Sequence, residues 1–472
     1  MALKDIETII FVMMENRSFD HMLGYLSLDS TANKMPVEGL RSDPAWQASY
    51  ANLANGKSYK LRRLAPLDPV KEDPPHGQAS VAKQIGTAPA GPGPAQMGGF
   101  VSTFLQAHPT TADPGVVMGY YDGASLPTYD FFARNFCVCD RWFTPLPLGT
   151  QANRLMAMAG ESKVVDNVVP LPNQPLVYDW LNQKGIGWRA YVSGGFAPFF
   201  LMMKRWALPI ASSIGLGNGP FRRYGKFRDH WTSDGQLPPV IFIEPEYEDA
   251  PGSNANDDHP PAPASRGQAF LNDIYRTVVS NPARWAKTLM IVTYDEHGGF
   301  FDHVSPPQIA GEAGGVAFNT TGPRVPAFLI SPHVDAGKVF SETLDHTAFL
   351  TLLDERFNGG GGYSPGVTKR QKALGRISHA LRATPRAGAA PKLAPPTQFK
   401  VLASATQAAG TPRAPDTPNA AALDAMARQL REEHPELFEK EGWEEMDRYL
   451  DANPPPVPKS QDHIDGAGKK PH

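Results

Sequence analysis

Residues 289–304 read Leu-Met-Ile-Val-Thr-Tyr-Asp-Glu-His-Gly-Gly-Phe-Phe-Asp-His-Val. The short apolar run Leu289–Thr293 stops in acidic residues and a glycine pair, the form of a strand buried on both faces of a parallel sheet. Ile9–Met14, Val240–Ile243 and Val325–Ile330 have the same form. Between them, Gln268–Ser280 carries Phe270, Leu271, Ile274 and Val278 at helical spacing, and His346–Phe357 carries a second apolar stripe. Asp345 is expected to cap that second helix. Alternating buried strands and amphipathic helices predict a doubly wound α/β sandwich.

In that architecture ligands sit beyond the carboxyl ends of the strands, where Glu15, Glu244 and Asp295 fall. The polar clusters are Glu15-Asn16, Asn256-Asp257-Asp258-His259, Asp295-Glu296-His297, Asp302-His303 and Asp345-His346. Carboxylate, amide and imidazole are the donors a divalent ion accepts. One such dipeptide alone reads as a solvated turn. Their recurrence at or near the ends of buried strands points to a single site.

The chain has 472 residues, 41% hydrophobic and 20% charged, which suits a large globular domain with an appendage. Forty-five basic against 48 acidic residues give a net charge of −3, so charge supplies no case for nucleic acid or for strong attraction to anionic membranes. The two cysteines, Cys137 and Cys139, are poorly spaced for a disulfide and read as small buried residues. No apolar run is long enough for a transmembrane segment, and the first, Ile9–Met14, is too short for a signal peptide. As written, the sequence predicts a cytoplasmic protein, or a secreted one from which a signal was removed.

Residues 1–383 are expected to form the catalytic domain, 384–417 a Pro/Ala-rich linker, 418–453 a helical C-terminal segment and 454–472 a disordered tail. The helical segment, with Leu423, Met426 and Leu430 on one stripe and Trp443, Met446 and Leu450 on another, is expected to dock on the main domain or carry a partner contact. The stretch Phe196–Met203 suits either core packing or contact with acyl chains. The loop-rich region Arg41–Val117 suits a pocket wall.

Specific blocks occur in order: Glu15-Asn16-Arg17-Ser18-Phe19-Asp20-His21, Asp73-Pro74-Pro75-His76, Gly149-Thr150 before Asn153-Arg154-Leu155, Asn256 to Pro261, Thr293 to Val304, and Arg324-Val325-Pro326 through Asp345-His346-Thr347. Together they resemble the phosphoesterase family of bacterial and plant non-specific phospholipases C and related acid phosphatases, over roughly residues 5–360. The resemblance implies an alkaline phosphatase-like three-layer α/β/α sandwich with a mostly parallel sheet, here followed by a C-terminal helical extension. It also implies a divalent metal ion (calcium, magnesium, manganese or zinc) held by Glu15, Asn16, Thr150, Asp295 and Glu296. Thr150 would be the nucleophile, His259 and His76 would act on the phosphate or leaving oxygen, and Asn16 and His303 would contact the substrate. Ala152 stands where the family commonly has proline. Arg17 and Arg154 suit anion contacts or orienting ion pairs.

The implied reaction is hydrolysis of phosphate esters through a phosphothreonine, by a phospholipase C acting on phospholipid at a membrane surface. A phosphomonoesterase with the same residues is the nearest alternative. A catalytically silent binding protein would lack a nucleophile or a ligand, and none is missing here.

Overall fold

The computed structural model describes residues 2–28, 34–65, 70–86, 96–195, 198–233, 235–250, 254–395, 417–440 and 442–454. Most of the expected linker, and all but the first residue of the expected tail, lie outside these. The sheet strands are β1 (Thr8–Met14), β2 (Cys137–Cys139), β3 (Trp188–Val192), β4 (Phe221–Arg223), β5 (Val240–Glu244), β6 (Thr288–Tyr294), β7 (Ala327–Ile330) and β8 (Lys338–Phe340). They form one sheet in the order β8-β2-β7-β6-β1-β5-β3-β4. Within it only β7 runs against the rest. The run Val325–Ile330 carries no sign of that direction. After β6 the chain stays at the sheet's carboxyl edge and enters β7 from there, so the pair is antiparallel without a crossover helix.

Helices cover both faces. Phe11 of β1 stacks at 4.1 Å on Phe349 of the helix Thr347–Phe357, whereas Phe328 of β7 points to the opposite face and meets Tyr129 and Phe132. The helices used below are α1 (Pro127–Asn135), α2 (Thr150–Ala159), α3 (Lys204–Leu216), α4 (Ala264–Val279), α5 (Thr347–Phe357), α6 (Pro418–Glu433), α7 (Pro435–Phe438) and α8 (Glu444–Ala452). Tyr275 of α4 packs against Phe131 and Phe132 of α1, which completes the second outer layer. Asp345 caps α5 as its position suggests, since Oδ1 accepts from Thr347 N at 2.8 Å. The result is a three-layer α/β/α sandwich.

Cys137 and Cys139 are buried free thiols in β2. Phe199 to Met203 are each at most 3% exposed, which makes them core; Phe196 and Ala197 lie outside the described residues. The start of the Pro/Ala-rich stretch is anchored on α4: Tyr275 Oη donates to the Pro391 carbonyl at 2.7 Å and Asn272 Nδ2 to that of Ala394 at 3.0 Å. The C-terminal helices pack on α3, where Trp443 is fully buried and donates Nε1–H to the Ala211 carbonyl. Among the described residues no helix is long and apolar enough to cross a membrane.

Candidate active site

The register of two central strands brings the first acidic residues together. Met14 of β1 pairs with Tyr294 of β6 in a parallel ladder, so Glu15 and Asp295 leave the sheet side by side. The two loops are then tied to each other. Asn16 N donates to Asp295 Oδ1 at 3.1 Å and Arg17 N to the Glu296 carbonyl at 3.2 Å. Asn16 holds a left-handed backbone with φ 59°, a conformation that asparagine tolerates and that recurs at functional sites. Gly298, φ +63°, fits beneath it: a Cβ there would lie 2.1 Å from the Asn16 carbonyl oxygen.

Thr150 is the first residue of α2. The turn before it is fastened by Asn153, whose Oδ1 accepts from Leu146 N at 3.1 Å and whose Nδ2 donates to the Leu148 carbonyl at 2.7 Å. That grip holds the turn with alanine at position 152. Gly149 lies against His76, whose carbonyl oxygen would be 3.2 Å from any added Cβ. One helical turn beyond Thr150, and so on the same face, Arg154 reaches Glu15 Oε1 at 3.0 Å and Asp295 Oδ2 at 3.4 Å. Its guanidinium lies 4.8 Å from the ring centroids of both Phe199 and Tyr247. Thr150 thus begins the helix whose next turn, at Arg154, reaches Glu15 and Asp295.

Each of the three carboxylates has one oxygen anchored and one without a hydrogen-bond partner, although Asp295 Oδ2 keeps its ion-pair contact with Arg154 at 3.4 Å. Glu15 Oε1 meets Arg154, Asp295 Oδ1 accepts from Asn16 N and Glu296 N, and Glu296 Oε2 accepts from Gly298 N. Glu15 Oε2, Asp295 Oδ2, Glu296 Oε1 and Asn16 Oδ1 are buried without a hydrogen-bond partner. Bare buried oxygens are costly unless a cation or donor meets them. Burial raises Glu15 well above the usual carboxylate range against the pull of Arg154, and raises Asp295 to about 6. Three buried carboxyl groups share the single guanidinium of Arg154, and their donor set fits a divalent metal ion.

Three acidic and imidazole triads also have ligand atoms within 4.8 Å of one another: Glu15/Asp257/His259, Asp73/His76/His259 and Asp20/Asp302/His303. Glu15 Oε2 and Asp73 Oδ1 have no hydrogen-bond partner, whereas the carboxylates of Asp257, Asp20 and Asp302 are engaged. Asp257 accepts from His259 N and Glu248 N, and Arg324 enters the third triad to bind Asp302 Oδ1 at 2.9 Å and Asp20 Oδ1 at 3.1 Å. Glu15, Asn16, Asp295 and Glu296 differ from these triads in that all four follow two paired central strands and each has a side-chain oxygen without a hydrogen-bond partner.

His76 and His259 face each other with ring centroids 6.0 Å apart. His76 Nδ1–H donates to the Pro74 carbonyl at 2.7 Å, and His259 Nε2 stands 3.4 Å from Asp73 Oδ1. Burial opposes charge on both rings. Glu296 and Asp73 nevertheless raise His76, and Asp73, Asp249 and Glu15 raise His259 well above the usual histidine value. His303 departs from expectation: it belongs to a different cluster, its Nδ1 bound to Asp20 Oδ2 at 2.6 Å and its ring against Trp46 and Tyr50. Asp73, three residues before His76, has a part that the sequence blocks left unassigned. Arg154 is an orienting ion pair, and Arg17 donates to the Asp258 carbonyl rather than facing an anion.

Comparison with known proteins identifies the family. The sequence profile of the Phosphoesterase family matches residues 6–359. Non-specific phospholipase C1 of Arabidopsis thaliana is 30% identical over 376 residues, 75% of this chain and 67% of the relative. Phospholipase C A of Mycobacterium tuberculosis is 29% identical over 453 residues, 84% of this chain and 81% of the relative. Likeness to the solved phosphonate monoester hydrolase of Agrobacterium radiobacter is slight, with TM-score 0.31 and 13% identity over 49% of this chain and 69% of that one. The family match spans the strand ends, Thr150 and both histidines, and on that ground the chain belongs to the Phosphoesterase family, as a hydrolase of phosphate-ester bonds.

Proposed function

We propose that the protein is a phospholipase C-type phosphodiesterase that attacks phosphorus with the Thr150 hydroxyl. The observation that supports the reading is that Glu15, Asn16, Asp295 and Glu296 each have a buried side-chain oxygen without a hydrogen-bond partner, and that the helix beginning at Thr150 is tied to Glu15 and Asp295 through Arg154. Relatives named as phospholipases C, from a plant and from a bacterium, support a phospholipid as the diester. An all-oxygen donor set favours a hard cation such as calcium, magnesium or manganese over zinc.

When bound, the ion supplies positive charge that stabilises the Thr150 alkoxide and the equatorial phosphoryl oxygens. Thr150 Oγ1, entering as the alkoxide after its proton has passed to bulk water, forms the new bond to phosphorus while the bond to the leaving oxygen breaks. His259, kept protonated by Asp73, gives its proton to that oxygen. The neutral ring then takes a proton from the water that splits the phosphothreonine, which regenerates Thr150 and releases the phosphomonoester. His76 and the Asn16 amide orient the phosphoryl oxygens.

Hydrolysis of a chromogenic phosphomonoester and of phosphatidylcholine by wild type and Thr150→Ala, with and without chelator, tests the reading. Faster diester turnover that disappears in the variant and with chelator is expected. A faster monoester reaction would make the enzyme a phosphatase, and an active Thr150→Ala protein would remove the nucleophile.

A further inference from the structure

The C-terminal helices lie beyond the family-matching residues, yet they reach the residue next to Thr150. Gln151 is fully buried. Its Oε1 accepts from Val168 N at 2.9 Å, and its Nε2 donates to the Val168 carbonyl at 3.1 Å and to Asn419 Oδ1 at 2.9 Å. Asn419, the second residue of α6, is 2% exposed. Its Nδ2 donates to Asp249 Oδ2 at 2.8 Å, while Thr417, the N-cap of α6, donates to Asp249 Oδ1 at 2.6 Å.

Asp249 lies on the loop that runs from β5 to His259. Its neighbour Glu248 donates N–H to Asp257 Oδ2 at 2.7 Å, and Asp257 Oδ1 accepts from His259 N at 3.0 Å. A single amide side chain thereby joins two unbroken series of contacts. One runs through Gln151 to Thr150, the other through Asp249, Glu248 and Asp257 to His259. A helix that served only to cover apolar surface would need Leu423, Met426 and Leu430, all buried, but not a polar bridge at its first turn. The bridge is expensive to break, because truncation strands a buried Gln151 N–H and removes a donor from Asp249.

We propose that Asn419 is a positioning residue that sets the nucleophile end of α2 against the loop carrying His259, making the C-terminal segment part of the catalytic unit. The proposal rests on the reading of Thr150 as nucleophile. Displacement of a reacting group by a fraction of an ångström to 1 Å is enough to reduce turnover by one to two orders of magnitude.

The test compares full-length Asn419→Ala, Asn419→Ser and Leu430→Ala, the last removing apolar contact from the same helix. Turnover of phosphatidylcholine at saturating divalent ion is measured at a temperature where all are folded, together with amide hydrogen exchange. Asn419→Ala is expected to lose about tenfold in kcat with KM within about twofold, and to exchange faster at residues 150–153 and 257–259. Asn419→Ser, which keeps a hydroxyl at the position, falls in between. Leu430→Ala keeps kcat despite a comparable fall in melting temperature. An unchanged kcat in Asn419→Ala, or an equal loss in Leu430→Ala, overturns the proposal. An inactive Thr150→Ala protein beside a fully active Asn419→Ala protein overturns this proposal alone, whereas an active Thr150→Ala protein overturns the nucleophile reading and this proposal with it.

Discussion

Arg154 Nη2 lies 3.0 Å from Glu15 Oε1, and both side chains are at most 5% exposed. Helix α2 and the end of β1 are thus joined by a buried ion pair, and the residue that joins them stands one turn from Thr150. Removing the guanidinium leaves Glu15 uncompensated beside Asp295. Arg154→Met is expected to cost about 3 kcal/mol or more in denaturant unfolding with chelator present. Added divalent ion should recover more stability in the variant than in wild type, because the ion then supplies the missing charge.

Ion binding should be visible without turnover. A ligand that binds only the folded state at 100 times its Kd adds about 2.7 kcal/mol, seen as a rise in melting temperature. Glu296→Gln replaces a carboxylate whose Oε1 is bare, and is expected to lose most of that increment while the chelated protein melts close to wild type.

Gly298→Ala meets two obstacles, a φ of +63° and the Asn16 carbonyl oxygen 2.1 Å from the new Cβ. It should destabilise the fold by about 1–3 kcal/mol and move Asn16, lowering kcat together with ion affinity. Thermal melts and ion titrations on the same preparation check both effects.

Asp20 gives the pH dependence. Burial alone would raise its carboxyl, but His303 and Arg324 outweigh it and hold it below the usual aspartate value. A carboxyl depressed in the folded state contributes stability that is present above its unfolded pKa near 4 and lost as pH falls through the folded value. Stability of wild type should therefore decline more steeply than that of Asp20→Asn below about pH 4, as measured by urea unfolding across that range.

The local pattern of the sequence was sufficient for the central strands. Ile9–Met14 ends where β1 ends and Leu289–Thr293 one residue before the end of β6, and the acidic residues that follow the two strands share one edge because the ladder is parallel and in register. Asp73 against His259 and Asn419 against Gln151 are different in kind. Each joins segments far apart along the chain, and no periodicity or turn signal encodes which loops will touch. His303 shows the opposite limit: its block sits beside the site in sequence, but Asp20 and the rings of Trp46 and Tyr50 claim it.

The oxygens without hydrogen-bond partners come from positions 15, 16, 295 and 296, just beyond strands that are adjacent only in the finished sheet. No shorter fragment of the chain gathers all four. An unfolded or half-folded chain therefore offers a passing cation isolated carboxylates, each too weak to retain it. On the proposed reading, loading follows assembly of the central sheet rather than nucleating it, and ion occupancy marks a molecule in which β1 and β6 have paired.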